Sequence, residues 1–229
     1  NYYPTDKTKK SNFSNRPIGI GVQGLADTFA MLNLAFDSPE ARQINENIFE
    51  TIYYHSINTS MRIAEQLGAY DNYTGSPISQ GKFQFDLWNV TPSSRYNWEE
   101  LRQNIFRYGV RNSLCVAPMP TASTSQIISN NECFEPFTSN IYTRRTLAGE
   151  FIMINKHLMK ELCELDLWNT SVKDDVIRDK GSVQNIQSIP QYIKDKYKIV
   201  WEMSMKSIID MSKDRGAYIC QSQSLNLWI

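Results

Sequence analysis

Histidine is scarce in this chain: only His55 and His157 occur in 229 residues. The four cysteines, Cys115, Cys133, Cys163 and Cys220, stand far apart, and no C-x-x-C pair exists. So few ligands in no recognised spacing argue against a metal site. The same spacing suits reduced thiols, as in a cytoplasmic protein. Neither sign of charge is in excess, with 24 Lys+Arg against 24 Asp+Glu. A nucleic-acid surface or a membrane-binding face is therefore not expected. No apolar run reaches the roughly 18 residues that a membrane helix requires. The start, Asn1-Tyr2-Tyr3-Pro4 followed by a polar stretch to Ser14, lacks the pattern of a signal peptide. There is no initiator methionine, and the chain stops on Leu227-Trp228-Ile229, directly after an expected strand. Both ends read as cuts through a longer polypeptide. Internal repeats and low-complexity linkers are absent as well.

What is present is an ordinary globular composition, 41% hydrophobic and 21% charged, sufficient for a packed core. Residues 1–15 are polar and expected to be loose. Ile18 to Val22 reads as a buried strand, and Gln23 to Asn33 as a helix. Ser38-Pro39-Glu40 places a serine cap before a proline at the first helical position, predicting a helix to Leu67 with Ile44, Ile48, Ile52 and Met61 buried. Residues 69–91 read as a long structured loop. Asn97-Trp98-Glu99-Glu100 opens a helix that Gly109 closes. Ser113 to Ala117 is expected as a strand, Ser123 to Ser129 as a short helix, and Asn130 to Arg145 as irregular. A strand at Phe151 to Ile154, helices near 156–165 and 172–179, and one long helix from Pro190 to Asp214 follow. That last helix is expected to bury Ile193, Tyr197, Val200, Ile208 and Met211. Ala217 to Cys220 reads as the final strand. Strands alternating with helices predict an α/β fold with parallel strands.

Three segments suggest chemistry. Gly19-Ile20-Gly21-Val22-Gln23-Gly24 fits G-x-G-x-x-G between an expected strand and helix. It opens either a dinucleotide site or a tight strand-to-helix turn that needs small residues. The intervening helix is short and no third strand follows at a βαβ spacing, which favours the turn. Second, Val116 to Gln126 runs from a strand through two prolines into Thr121-Ala122-Ser123-Thr124-Ser125 and a helix start. Unpaired N–H groups and the helix dipole make such a place an anion cradle. The segment lacks the G-K-[ST] ending of a Walker loop, and an ordinary cap uses the same residues. Arg111, Arg144 and Arg145 could add charge there or pair with surface carboxylates. Third, Asn131-Glu132-Cys133-Phe134-Glu135 places a thiol beside an acid, but no neighbouring histidine would lower its pKa. It is expected to be a structural loop. The aromatics Tyr53, Tyr54, Trp98, Trp201 and Tyr218 are expected in the core.

Longer motifs carry a resemblance. Trp98-x2-Leu101-x7-Gly109-Val110-Arg111-Asn112-x3-Val116-Ala117-x2-Pro120 resembles the signature of the large, catalytic subunit of class I ribonucleotide reductase. Arg16 to Asp27, Trp88 to Pro92, Thr138 to Arg145, Arg215-Gly216-Ala217 and Gln221 to Asn226 resemble its eukaryotic and viral branch. The resemblance covers nearly the whole chain, in order. It implies residues 1–229 to be part of a ten-stranded α/β barrel, its C-terminal half. The implied reaction reduces ribonucleoside diphosphates to deoxyribonucleoside diphosphates through a thiyl radical. In that family the segment matching Pro120, Thr121, Ala122, Ser123 and Thr124 binds the substrate diphosphate. The glycine motif becomes a barrel turn.

The family's thiyl cysteine, reducing cysteine pair, radical-relay tyrosines, tail cysteines, ATP cone and specificity site match no segment here. This implies no catalytic residue and no cofactor on this segment, which alone is expected to be inactive. Where the family carries a serine or another small residue, this chain has Cys133. The implied partners are the rest of the large subunit, a metal-containing small subunit that supplies the radical, ATP and dNTP effectors, and thioredoxin or glutaredoxin. A second possibility is a non-catalytic assembly module pairing with a chain that carries the thiyl cysteine. A NAD-dependent dehydrogenase is a third.

Overall fold

The structure, a computed structural model, describes residues 2–228 apart from the side chain of Thr146. It divides into two compact units. The first comprises residues up to Gly21, Ile44–Met119 and Met211–Ser224; the second comprises Val22–Gln43, Pro120–Asp210 and the residues from Leu225.

The first unit begins with α1 (Asp6–Asn15), where a loose segment was expected. Thr5 and Thr8 close a reciprocal cap at its start, and none of its residues is buried. A helix held by its cap and not by an apolar face leaves no periodic signal to read. In the second unit the chain then forms α2 (Leu25–Met31). Next comes α3 (Pro39–Leu67), bounded as Ser38-Pro39 and Gly68 predict. From Ile44 onward α3 belongs to the first unit. Its buried stripe there is Asn45, Phe49, Tyr53, Ile57, Met61 and Ala64, whereas Ile44, Ile48 and Ile52 are half-buried. The stripe is offset by one residue from the expected one, because Asn45 and Glu50 occupy the inner face and are hydrogen-bonded there.

The loop after α3 contains a 3-10 turn (Ile78–Gln80) and α4 (Gln84–Leu87). Next is α5 (Trp98–Tyr108), capped by Asn97 as predicted. Trp98 packs against Tyr53, Phe83 and Phe85, with ring centroids 5.9, 5.1 and 4.7 Å away. Tyr53, Trp98 and Tyr218 are core residues, as expected, but Trp201 is 59% exposed.

The expected strands at Ile18–Val22 and Ser113–Ala117 are reduced to one isolated bridge, Ile20 with Val116, and Ile18–Val22, expected to be buried, is exposed or half-buried. Ile20 N–H donates to Cys115 O (2.8 Å) and Ala117 N–H to Ile20 O (2.9 Å), a parallel pairing. On the other side Gln221 N–H donates to Val116 O (3.2 Å) and Ser224 N–H to Pro118 O (3.1 Å). Segment 114–118 is therefore the middle member of three hydrogen-bonded segments, of which only Ile20 and Val116 form a bridge, a parallel one. The third member lies after Cys220; Ala217–Ile219, expected as strand, is a buried turn in which Tyr218 N–H donates to Arg215 O.

The second unit continues with α6 (Thr124–Ile127) and the antiparallel hairpin β1 (Ile141–Thr146) and β2 (Gly149–Ile154). β1 falls where irregular chain was expected. Its residues alternate too few apolar side chains to mark a strand. Then come α7 (Lys156–Glu164) and α8 (Thr170–Arg178), capped by Asn155 and Asn169. Leu158 and Leu162 of α7 and Val172 and Val176 of α8, each pair at i,i+4, join Val183, Ile186, Ile189, Ile193 and Tyr197 in one core.

The long helix expected from Pro190 is broken into α9 (Gln191–Lys196), a 3-10 turn (Val200–Glu202) and α10 (Met205–Gly216). Glu202 Oε2 accepts from Ile199 N–H at 2.8 Å and Val200 N–H donates to Phe137 O at 2.8 Å, bonds that continuous helix would forbid. Ser204 Oγ accepts from Lys206 N–H and restarts the helix. Ile193, Tyr197, Val200, Ile208 and Met211 are all buried, as predicted.

Candidate functional site: an open loop braced by a buried carboxylate

Pro120, Thr121, Ala122, Ser123 and Thr124 form the loop leading into α6. Ala122, Ser123 and Thr124 are exposed and Thr121 is half-buried. Ser123 stands at the cap position with helical backbone angles and makes no side-chain cap bond. Among the described residues, no acceptor takes up the N–H groups of Ala122, Ser123 or Thr124. Ser125 N–H, in contrast, donates to Thr121 O at 3.0 Å. α6 is only one turn long, so its dipole is small and the donors in the loop dominate. Thr124 Oγ1 donates to Gln23 Oε1 at 2.8 Å, which turns that hydroxyl away from the open donors.

Thr121 has a left-handed backbone (φ 56°), unusual for a β-branched residue. Its Oγ1 accepts from Cys133 N–H at 2.8 Å. Segment 129–133 is strained too, with φ 56° at Ser129 and 43° at Cys133. The start of α2 holds this segment: Gly24 N–H donates to Asn131 O (2.9 Å) and Leu25 N–H to Cys133 O (3.3 Å). These bonds settle the glycine motif as a turn. A dinucleotide needs the N–H groups at that helix start, and carbonyls of 131 and 133 already occupy them. Gly24 itself has φ 79°, and a Cβ there would lie 2.8 Å from Asn130 Nδ2.

Asp27, on α2, braces the same segment from the side. Its Oδ2 accepts from Asn131 N–H at 2.6 Å and its Oδ1 lies 2.9 Å from His157 Nε2. Burial pushes the carboxyl up, but the His157 bond, the Asn131 N–H and the nearby positive charge together hold it below its usual value. An ionised carboxylate only accepts, so His157 Nε2 carries the proton. Sequence reasoning missed this pair because its members lie 130 residues apart.

Alongside is a cavity of about 690 Å³ lined by Asp27, Ser125, Asn130, Arg144, Lys156 and Trp228, among others. Ser125 Oγ and Asn130 Oδ1 are buried with no hydrogen-bond partner among the described residues. Arg144 and Arg145 both line this cavity, and Arg145 is also exposed and paired with Glu150. Arg111 is elsewhere, donating to the carbonyls of Leu67, Gly68 and Ala69 at the end of α3.

The Asn131–Glu135 segment is an irregular loop, as expected. Cys133 is buried, Asn131 Nδ2 donates to Glu135 O at 2.6 Å, and Glu135 Oε1 accepts from Asn226. Cys115 is pushed up to about 12 by burial and by Cys220, which makes it a poor nucleophile. None of the four cysteines is in a disulfide. Among the described residues no group of three or more His, Cys, Asp or Glu is placed to hold a metal ion, and no helix is long and apolar enough to cross a membrane.

A family model described as the ribonucleotide reductase barrel domain matches residues 1–229. Over 227 residues the chain is 56% identical to the ribonucleoside-diphosphate reductase large subunit of Arabidopsis thaliana, spanning 99% of this chain and 28% of that protein. The Vaccinia virus (strain Copenhagen) large subunit is 56% identical over 229 residues, which is all of this chain and 30% of the viral protein. The chain thus spans less than a third of the curated relatives it matches. Among solved structures, the Actinobacillus ureae class Id ribonucleotide reductase alpha subunit superposes with a TM-score of 0.74 at 26% identity, over 95% of this chain and 34% of that one. The match along its whole length, at this level of identity and with an α/β fold to support it, means that the chain belongs to the ribonucleotide reductase barrel-domain family.

Proposed function

We propose that this chain is part of the catalytic barrel of a ribonucleoside-diphosphate reductase large subunit. In that reading residues 1–229 form part of one barrel domain, and the loop Pro120–Thr124 holds the diphosphate of the ribonucleotide being reduced. The observation that carries it is the open set of N–H groups at Ala122, Ser123 and Thr124, unclaimed by any cap. Three successive backbone donors left without acceptors suit phosphate oxygens and need no lysine. The buried, unpartnered Ser125 Oγ beside them supports the same reading.

The chemistry of the whole reaction is hydrogen abstraction from the ribose, loss of a hydroxyl, and reduction by paired thiols. This segment's own residues contribute orientation and charge stabilisation. Fixed amide dipoles anchor one end of the substrate, so that the sugar presents the same face on each turnover. The groups that react with the sugar come from elsewhere in the large subunit, and the radical from a metal-containing small subunit. Thioredoxin or glutaredoxin restores the thiols, and ATP and deoxynucleoside triphosphates act as effectors at other sites. The protein works in the cytoplasm.

The test is substitution in the complete large subunit assembled with its small subunit. Ser123→Trp, or Thr121→Phe, places a bulky side chain across the open donors. Either is expected to raise KM for ribonucleoside diphosphates at least tenfold, the loss of about one charge-assisted hydrogen bond or more. An unchanged KM in both variants sinks the phosphate assignment.

A further inference from the structure

We propose that Asp27 is a positioning residue for substrate binding, acting through Asn131 and Cys133 to set the conformation of the loop at Thr121. The proposal rests on the phosphate reading above. The connection is continuous. Asp27 Oδ2 accepts from Asn131 N–H at 2.6 Å; two residues on, Cys133 N–H donates to Thr121 Oγ1 at 2.8 Å. Thr121 O then takes Ser125 N–H, at 3.0 Å, so the three residues between are spanned by one closed turn. Those are the residues whose N–H groups stay open.

The loop needs such bracing. Thr121, Ser129 and Cys133 all have positive φ, and none is glycine. Left-handed backbone at such residues costs about 1–2 kcal/mol each and persists only where the surroundings enforce it. Gly24 and Leu25 fix the carbonyl side of segment 131–133 through their N–H groups. Asp27 fixes its amide side. His157, at the start of α7, holds the second carboxylate oxygen and so determines the rotamer that Asp27 presents to Asn131. The carboxylate side chain is only 12% exposed, so water is a poor substitute for either bond. Asp27 bonds Asn131 and His157 and not the open donors, so its effect on the loop passes through backbone.

The experiment uses the complete large subunit with its small subunit. Asp27→Ala removes both acceptors and is expected to raise KM for ribonucleoside diphosphates about tenfold while kcat changes less than about twofold, the pattern of lost uniform binding. Asp27→Asn keeps an acceptor for Asn131 N–H, and a change of His157 tautomer restores the other bond. It is expected to return KM to within about threefold of the parent. A merely structural role predicts another pattern: kcat, KM and thermal midpoint change together, and Asn behaves like Ala. That pattern, or an unchanged KM in Asp27→Ala, overturns the proposal.

If Asp27→Ala does not fold, His157→Phe decides. It leaves the Asn131 bond but frees the carboxylate, and an unchanged KM there overturns the proposal, whereas a rise of about threefold supports it. The Ser123→Trp variant separates the two readings. If it raises KM while Asp27→Ala does not, only the positioning role fails; if neither does, the phosphate reading fails with it.

Discussion

Replacing Glu50 by alanine is expected to destabilise the protein by about 3–5 kcal/mol, the usual cost of breaking a buried, hydrogen-bonded charge pair from its inner side. Glu50 lies on the inner face of α3 with its side chain 1% exposed. Its two oxygens accept from Ser93 N–H (2.9 Å), Ser93 Oγ (2.7 Å), Arg95 Nη2 (2.7 Å) and Trp98 Nε1 (3.3 Å). This one carboxylate joins α3 to the chain just before α5. Alanine would strand the Trp98 and Ser93 donors where water reaches them poorly, and each such loss is costly. The partner behaves differently. Arg95 is 38% exposed, but Arg95→Ala leaves the buried Glu50 carboxylate with only the Ser93 and Trp98 donors, and is expected to cost less than Glu50→Ala, about 1–3 kcal/mol. Denaturant midpoints of the two variants beside the parent check this. Equal costs would mean that the Ser93 and Trp98 donors add nothing to the ion pair.

The second large effect is at Gly181. Its φ is 91°, and a Cβ would sit 1.8 Å from Ser139 Oγ and 2.8 Å from Asn140 N. Ser139 cannot simply swing away, since its Oγ is bonded to Ile141 O at 2.6 Å. Asn140 is fully buried, and its Nδ2 spans Gly181 O (3.0 Å) and Tyr197 O (2.8 Å). Backbone strain of about 1–2 kcal/mol and overpacking of about 1–3 kcal/mol add, so Gly181→Ala is expected to cost about 2–5 kcal/mol. Gly68 is the control: it also has positive φ (79°), but no atom lies within 4 Å of its would-be Cβ. Gly68→Ala should therefore cost only the strain, about 1 kcal/mol. If the two glycines prove equally tolerant in unfolding experiments, close approach at Gly181 is not what requires glycine there.

Much of the local structure was legible because it is decided locally. Ser38-Pro39 and Asn97 begin helices in sequence and in space, for a cap needs only its own next turn. Burial within 190–211 was legible for the same reason, since five apolar residues at helical spacing need a core. The break at Ile199–Ser204 was not, because it depends on Phe137 offering a carbonyl to Val200 from 63 residues away. The inner face of α3 was misread by one residue for a related reason. Asn45 and Glu50 look like surface residues until Met211 O and Ser93 are seen to satisfy them.

At the site, small hydroxylated residues after two prolines announced an opening in the backbone, and the long motifs around them announced the family. Those are properties of contiguous chain, so the amino-acid order alone decides them. That the donors of Ala122, Ser123 and Thr124 stay open was decided only by the folded chain. Thr121 is held left-handed by Cys133, and Cys133 and Asn131 are held by Gly24, Leu25 and Asp27, residues about a hundred positions earlier. Hydrogen bonds act over about 3 Å whatever the separation in sequence, so the brace exists only once α2 and segment 129–133 lie side by side.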